Sequence, residues 1–391
     1  MKFKELYIIA LFIPEFFRSL QGPLSLLYWL LEFVRICISC FYIIQYLKTQ
    51  KKSFVFKTVV LFHIIIFISS LINNSSLSIY RTIINVTFPN IGIVCFIEIL
   101  LCKQGLQGLT AVERALKILV TTNLLFMLIY PEGYYVSTMY NLENEASRDI
   151  VTYFLSVKNR LILWFIPLMT ILAVKGNKKE ILLYNSIILL EILICNSKTS
   201  LFVFIVFHLL CYANNTKMSK WLTLNKIYLA FIIIFIAIIV YQVQYLFSSF
   251  IENNLQKNVE LQGRTFIWQI AMDLIKDKWL LGYGNAGNGA IIEWNGYMWY
   301  SHNLILDILI QSGILGFITI ITLFLKLASK TRNQTKNKFN SNILSIAIFV
   351  TLIEGIFESY LNYPQFFFIL TLGYWFMHYN NSIIVKAYER S

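Results

Sequence analysis

Arg264, Trp268, His302 and Asp307 are the residues whose types and spacing best suit chemistry, and all lie in or beside one polar stretch. Arg264 follows Gly263 where a helix is expected to begin. A cation there opposes the helix dipole by a few tenths to about 1 kcal/mol. An anion held between the guanidinium and the free N–H groups reverses that sign. Trp268, four residues on, shares the face of Arg264. An arginine beside an indole suits a sugar phosphate; the alternative is a surface arginine over an interfacial tryptophan. His302 follows Ser301, read as a helix N-cap. A helix N-terminus disfavours imidazolium, so His302 is expected to be neutral and able to accept a hydrogen bond or a proton; the alternative is a structural histidine. Asn303, Asp307 and Gln311 are spaced i, i+4, i+8 and form a polar stripe that should face the bundle interior or a wet cavity. Asp307 is a candidate to orient a substrate hydroxyl or to balance Arg264, unless the stripe only joins helices.

Gly282, Gly284 and Gly287 form a G-x-G-x-x-G with no strand before it, so a dinucleotide site is not expected. A tight turn bringing backbone N–H groups to a ligand is the better reading. Gly313 and Gly316 allow a bend or close helix packing. Arg81, Lys158, Arg160 and Lys198 fall at the outer ends of expected spans. With Arg264 they could ring one pocket for an anion at headgroup depth, or they could simply snorkel. Glu32 and Arg35 are spaced to pair. Glu354 and Glu358, four apart, are either acidic groups of a site or partners for the outer cations. There is no D-x-D, HExxH, GxSxG or P-loop, so no metal and no cofactor are expected. The six cysteines sit in or beside apolar runs and read as packing residues.

The elements that must position these residues are transmembrane. The 391 residues are 58% hydrophobic and 14% charged, with apolar runs along the whole chain. An all-α, polytopic membrane bundle follows, because helices satisfy their own backbone in lipid. About twelve spans are expected, at approximately 5–20, 25–47, 54–72, 79–101, 116–131, 159–174, 180–196, 199–213, 226–246, 303–327, 341–359 and 364–380. With both termini cytoplasmic, most of the 33 Lys and Arg residues fall on the cytoplasmic side. The net charge of +13 therefore reports orientation rather than nucleic acid. A single transmembrane domain, 1–391, is expected. Its long outer loop, 247–302, lies between spans 9 and 10, and a second outer loop runs about 132–158.

Taken together, Gly263-Arg264, Trp268, the Gly282/Gly284 turn, His302-Asn303 and Gly313/Gly316 resemble the O-antigen ligase/polymerase superfamily. Lys158-Asn159 and Ser197-Lys198-Thr199 are similar to positions in Gram-positive capsular or exopolysaccharide repeat-unit polymerases of the Wzy type. The resemblance implies metal-independent, inverting glycosyl transfer at the outer face of the cytoplasmic membrane. Donor and acceptor would be polyprenyl-pyrophosphate-linked glycans, and a flippase and a chain-length regulator would be partners. By position, Arg264 would bind the donor pyrophosphate or stabilise its departure, and His302 would position or deprotonate the acceptor hydroxyl. Lys198 stands where many relatives place a second arginine, and it lacks the bidentate fork; Arg160 could replace it. Three alternatives stand beside the polymerase. A ligase would move finished glycan to another acceptor. A transporter or flippase would show broken helices and midplane ions. A scaffold would tolerate loss of Arg264 and His302.

Overall fold

The computed structural model describes residues 3–20, 22–49, 52–73, 82–141, 146–243, 246, 264–285, 292–294, 297–331 and 338–378. Arg81, Gly287 and all of 247–263, Gly263 included, lie outside the described residues. Fourteen α-helices form among those described: α1 Phe3–Phe12, α2 Glu15–Ser19, α3 Ser25–Leu47, α4 Phe54–Asn73, α5 Phe88–Gln104, α6 Leu109–Ile129, α7 Ile162–Lys175, α8 Lys178–Ile194, α9 Lys198–Asn214, α10 Leu224–Phe235, α11 Arg264–Asp277, α12 Leu304–Thr331, α13 Lys338–Phe357 and α14 Pro364–His378. Two antiparallel hairpins complete them. β1 Tyr135–Asn141 pairs with β2 Ala146–Thr152, and β3 Ile292–Trp294 with β4 Tyr297–Trp299. Both hairpins and α11 fall in the two stretches expected as outer loops.

This is an α-helical membrane protein, and α3 shows why. Its Leu26, Trp29 and Phe33 are exposed while Glu32 and Arg35 are buried, the reverse of a soluble amphipathic helix and the pattern lipid imposes. Glu32 and Arg35 form an ion pair inside the bundle. Among the described residues, five helical stretches can cross a membrane by length and hydropathy: Gly22–Leu47, Phe54–Asn73, Ile83–Gln104, Leu304–Ala328 and Asn340–Phe357. Of the other helices, α6 reaches 21 residues but carries Glu113, Arg114 and Lys117, and the rest are shorter. The expected first span is two helices, because Pro14 has no N–H to continue α1. At 10 residues, α1 is about 15 Å long against about 30 Å of hydrocarbon. Its Tyr7, Ile8 and Leu11 are fully buried. In α7 every side chain from Ile162 to Leu172 is buried, as expected of a helix apolar all round. It packs against α6, α8, α13 and α14, while α12 packs on α4.

The tenth expected span is broken. Gly313, inside α12, has φ +58° and ψ −163°. The carbonyls of Ile310 and Gln311 therefore lose their helical partners. They accept instead from Tyr283 N at 2.7 Å and Gly284 N at 3.0 Å, while Ile314 N and Leu315 N donate to Trp279 O and Leu280 O at 2.8 and 3.3 Å. The segment 279–284 thus replaces the missing turn, bond for bond.

Candidate functional site

Glu358, just beyond α13, is 3% exposed and is the point where distant segments meet. Arg160 Nε lies 3.7 Å from Oε1, and Arg264 Nη2 and His302 Nδ1 lie 4.0 and 3.6 Å from Oε2. These distances are those of charge pairs rather than direct hydrogen bonds. Burial opposes ionisation of Glu358, but His302, Arg160 and Arg264 together hold its carboxyl well below the usual carboxylate range. Burial also lowers the pKa of His302, and Glu358 pulls it only partly back. The imidazole is therefore neutral at neutral pH, through burial more than through the helix N-terminus expected to act on it.

Four elements deliver these groups. Arg264 is the first residue of α11, and among the described residues it donates no hydrogen bond. Its side chain is 13% exposed. His302 is held in the left-handed region at φ +50°, a conformation histidine adopts more readily than most residues. Its ring lies 4.0 Å from that of Tyr300, centroid to centroid. Arg160 closes a short 3-10 turn before α7. Its two Nη atoms donate to Tyr363 Oη at 2.7 Å and Tyr300 Oη at 2.6 Å, and Glu15 lies 3.5 Å away. A phosphate could reach this fork only by displacing two phenols. Arg160 thus orders Tyr300, and through it His302, in place of the phosphate contact expected of it.

Asp307 does not balance Arg264. It is 2% exposed and accepts from Ser301 Oγ at 3.2 Å, Gln311 Nε2 at 3.1 Å and Ser359 Oγ. It ties the residues beside His302 to those beside Glu358. Gln311 continues the chain to Asn285 Nδ2 at 2.7 Å, which also donates to Asn362 at 2.8 Å. The polar stripe of α12 therefore faces the bundle interior and is internally satisfied. The helix cap is Asn303, not Ser301: its Oδ1 accepts from Ile305 N and Leu306 N at 3.0 and 3.1 Å. Its Nδ2 donates to Ile356 O.

Trp268 shares a face with Arg264 but offers no surface to a sugar. It is 2% exposed, and its indole N–H donates to Ser301 O at 3.0 Å. The Gly282/Gly284 turn likewise meets protein rather than an open ligand space. A Cβ on Gly282 would stand 2.4 Å from Ile310 O, and one on Gly284 2.5 Å from Ser70 Cα. Lys158 and Asn159 share the 3-10 turn of Arg160, and Lys198 opens α9 behind Ser197; the groups that face Glu358 are Arg160, Arg264 and His302. A groove of about 340 Å³ between α8 and α9 shares no residue with this cluster. Sequence reasoning flagged Glu358 only as one of a pair and missed Tyr300, Tyr363 and Glu15. The run Pro14-Glu15 through Arg18, interrupting an apolar stretch, was the available signal.

Residues 183–321 match the family described as O-Antigen ligase. That range contains Lys198, Arg264, His302 and Asp307 and leaves Arg160 and Glu358 outside it. A Rickettsia conorii protein named "Putative polysaccharide ligase" is 36% identical over 96 residues, which is 22% of this chain and 22% of that protein. The chain therefore spans about a fifth of the curated relative it matches. No solved structure matches. Over residues 183–321 the chain is thus similar to O-antigen ligases.

Proposed function

We propose that this chain, a protein of the O-antigen ligase/polymerase superfamily, joins polyprenyl-pyrophosphate-linked repeat units at the outer face of the cytoplasmic membrane. In this reading twelve segments cross or enter the bilayer and both termini are cytoplasmic. The observation that carries it is the pairing of a guanidinium with no hydrogen bond among the described residues, Arg264, with a neutral imidazole, His302, across one carboxylate. The Glu358 carboxylate favours the proton on Nδ1 of His302, leaving Nε2 with its lone pair. Nε2 takes the proton of the acceptor hydroxyl as that oxygen attacks the anomeric carbon. The bond from the anomeric carbon to the phosphate oxygen breaks on the opposite face, and the diphosphate leaves with the electron pair. Arg264 stabilises that charge. A flippase that presents the lipid-linked units and a chain-length regulator fit as partners.

Ligation is the second reading, and the descriptions of the matched family and relative favour it. Transport is not favoured, although α12 is broken. Transporters leave the ends of broken helices free to hold ions, whereas the bonds lost at Gly313 are taken up by 279–284.

The test uses cells lacking the gene, complemented with wild type, Arg264→Ala or His302→Asn at matched membrane abundance. Asparagine tolerates the left-handed backbone of position 302. Wild type should restore a high-molecular-weight glycan ladder, and both variants should accumulate single lipid-linked units. A full ladder from both variants would remove the catalytic assignment. Purified protein given lipid-linked units alone separates the two readings: a polymerase makes a ladder, and a ligase requires another acceptor.

A further inference from the structure

We infer that Arg18 forms a second anion subsite, separate from that of Arg264, for the diphosphate of a second isoprenoid lipid. The inference rests on the polymerase reading, in which both substrates carry a diphosphate. Glu15 and Arg18 are spaced i, i+3 on α2 and so share a face. Glu15 is fixed, accepting from Val157 N at 3.2 Å and pairing with Arg160. Arg18 lies one turn further toward α3, within electrostatic reach of Tyr363, Tyr28 and Glu32. It is exposed, and among the described residues it makes no hydrogen bond or ion pair.

Charge and position both favour a ligand there. Arg160 pairs with Glu15 and Glu358, and Arg264 with Glu358, whereas Arg18 makes no ion pair among the described residues and keeps its charge for a ligand. Arg160 cannot offer its charge, because both of its Nη atoms are bound to phenols. Arg160 links the two regions, pairing with Glu358, which Arg264 also faces, and with Glu15, on the helix of Arg18. Glu358 and Tyr300 are on the Arg264 side, and Glu15 and Tyr363 on the Arg18 side. Beside Arg18, α3 turns Leu26, Trp29, Leu30 and Phe33 outward, at 71, 65, 57 and 65% exposure. That apolar row gives an isoprenoid tail a surface in the bilayer while its diphosphate rests on Arg18. On the same helix, buried Arg35 Nε has no hydrogen-bond partner among the described residues.

Native mass spectrometry of the full chain, titrated with a long-chain polyprenyl diphosphate lacking sugar, tests this. Wild type should bind two molecules, Arg18→Ala one, Arg264→Ala one, and Arg18→Lys two with the second at least about tenfold weaker, since lysine loses the fork. Two molecules on Arg18→Ala, or only one on wild type, would overturn the subsite. Loss of the Arg18-dependent molecule to excess phosphatidylglycerol would also overturn it, assigning the position to bulk phospholipid. Failure of the functional reading looks different: two lipids bind, yet wild type transfers no glycan in the parallel assay.

Discussion

Replacing Glu358 by glutamine removes one charge and almost no volume, and its consequence can be worked from two distances. At an effective dielectric of about 20, unit charges near 4 Å apart interact by about 4 kcal/mol. Glu358 faces Arg160 at 3.7 Å and Arg264 at 4.0 Å. These attractions largely offset the cost of burying the carboxylate, so the net effect is smaller than their sum. Breaking one partner out of a buried pair costs about 3–5 kcal/mol. Arg160 keeps Glu15, which places Glu358→Gln at the lower end, about 3 kcal/mol. Activity should fall further than folding. Without the carboxylate, Nδ1 of His302 no longer holds its proton by preference, and a general base that is mis-set loses about 10²–10⁴-fold. Glu358→Asp keeps the charge but withdraws it by about one carbon–carbon bond, roughly 1.5 Å, and should fall between. The assay is transfer from purified lipid-linked glycan at equal folded protein, with thermal unfolding in detergent alongside. A Glu358→Gln enzyme within about threefold of wild type, less than 1 kcal/mol in barrier, would refute the view that this carboxylate organises the site.

The remaining expectations can be checked with the same preparations. A pH–rate profile should be flat above the ordinary imidazole value of 6.5 and fall as pH drops through a lower value, because burial depresses His302 and only its neutral form accepts a proton. Glu358→Gln removes the influence that raises this pKa, so the acid limb should move to still lower pH; a shift upward would contradict the assignment. Gly313→Ala forces an L side chain to φ +58° with its Cβ 2.3 Å from the Leu280 carbonyl. That should cost upwards of about 1–2 kcal/mol, read as a lowered unfolding midpoint, and an unchanged midpoint would remove the break as a required feature. Trp268→Phe leaves Ser301 O without its donor, worth about 1–3 kcal/mol. It should lower kcat and leave the donor KM unchanged, whereas a sugar-stacking role would raise KM.

The helices were legible because lipid enforces long apolar runs, and five of the stretches expected as spans are, among the described residues, helices long and apolar enough to cross a membrane. What hydropathy did not reveal is where runs break. Pro14 divides the first because its ring removes a donor. Gly313 breaks the tenth only because 279–284 waits beside it, a tertiary fact invisible in a local window. At the site, Arg264, Arg160 and His302 were singled out by residue type and position, and the structure brings them onto one carboxylate. Glu358 was noted only as one of a pair, since its partners are residues 160, 264 and 302 and spacing reports only near neighbours. Trp268 illustrates the opposite failure. Helical spacing put it on the face of Arg264 correctly, but that face curves from open space into the core within one turn, and the indole went inward with its N–H bonded. Asn303 displaced Ser301 as the cap because the backbone at His302 turns left-handed, resetting the start of the helix by two residues.

The repair at Gly313 has a mechanical consequence. Because the segment after α11 supplies four of the hydrogen bonds that bridge the two halves of α12, the stretch bearing Arg264 is not a flap that can swing over a substrate while the bundle stays still. Lifting it would open a long transmembrane rod at its middle, in a solvent that offers nothing in exchange. The amides of Tyr283, Gly284, Ile314 and Leu315 should therefore trade hydrogen for deuterium as one slow group.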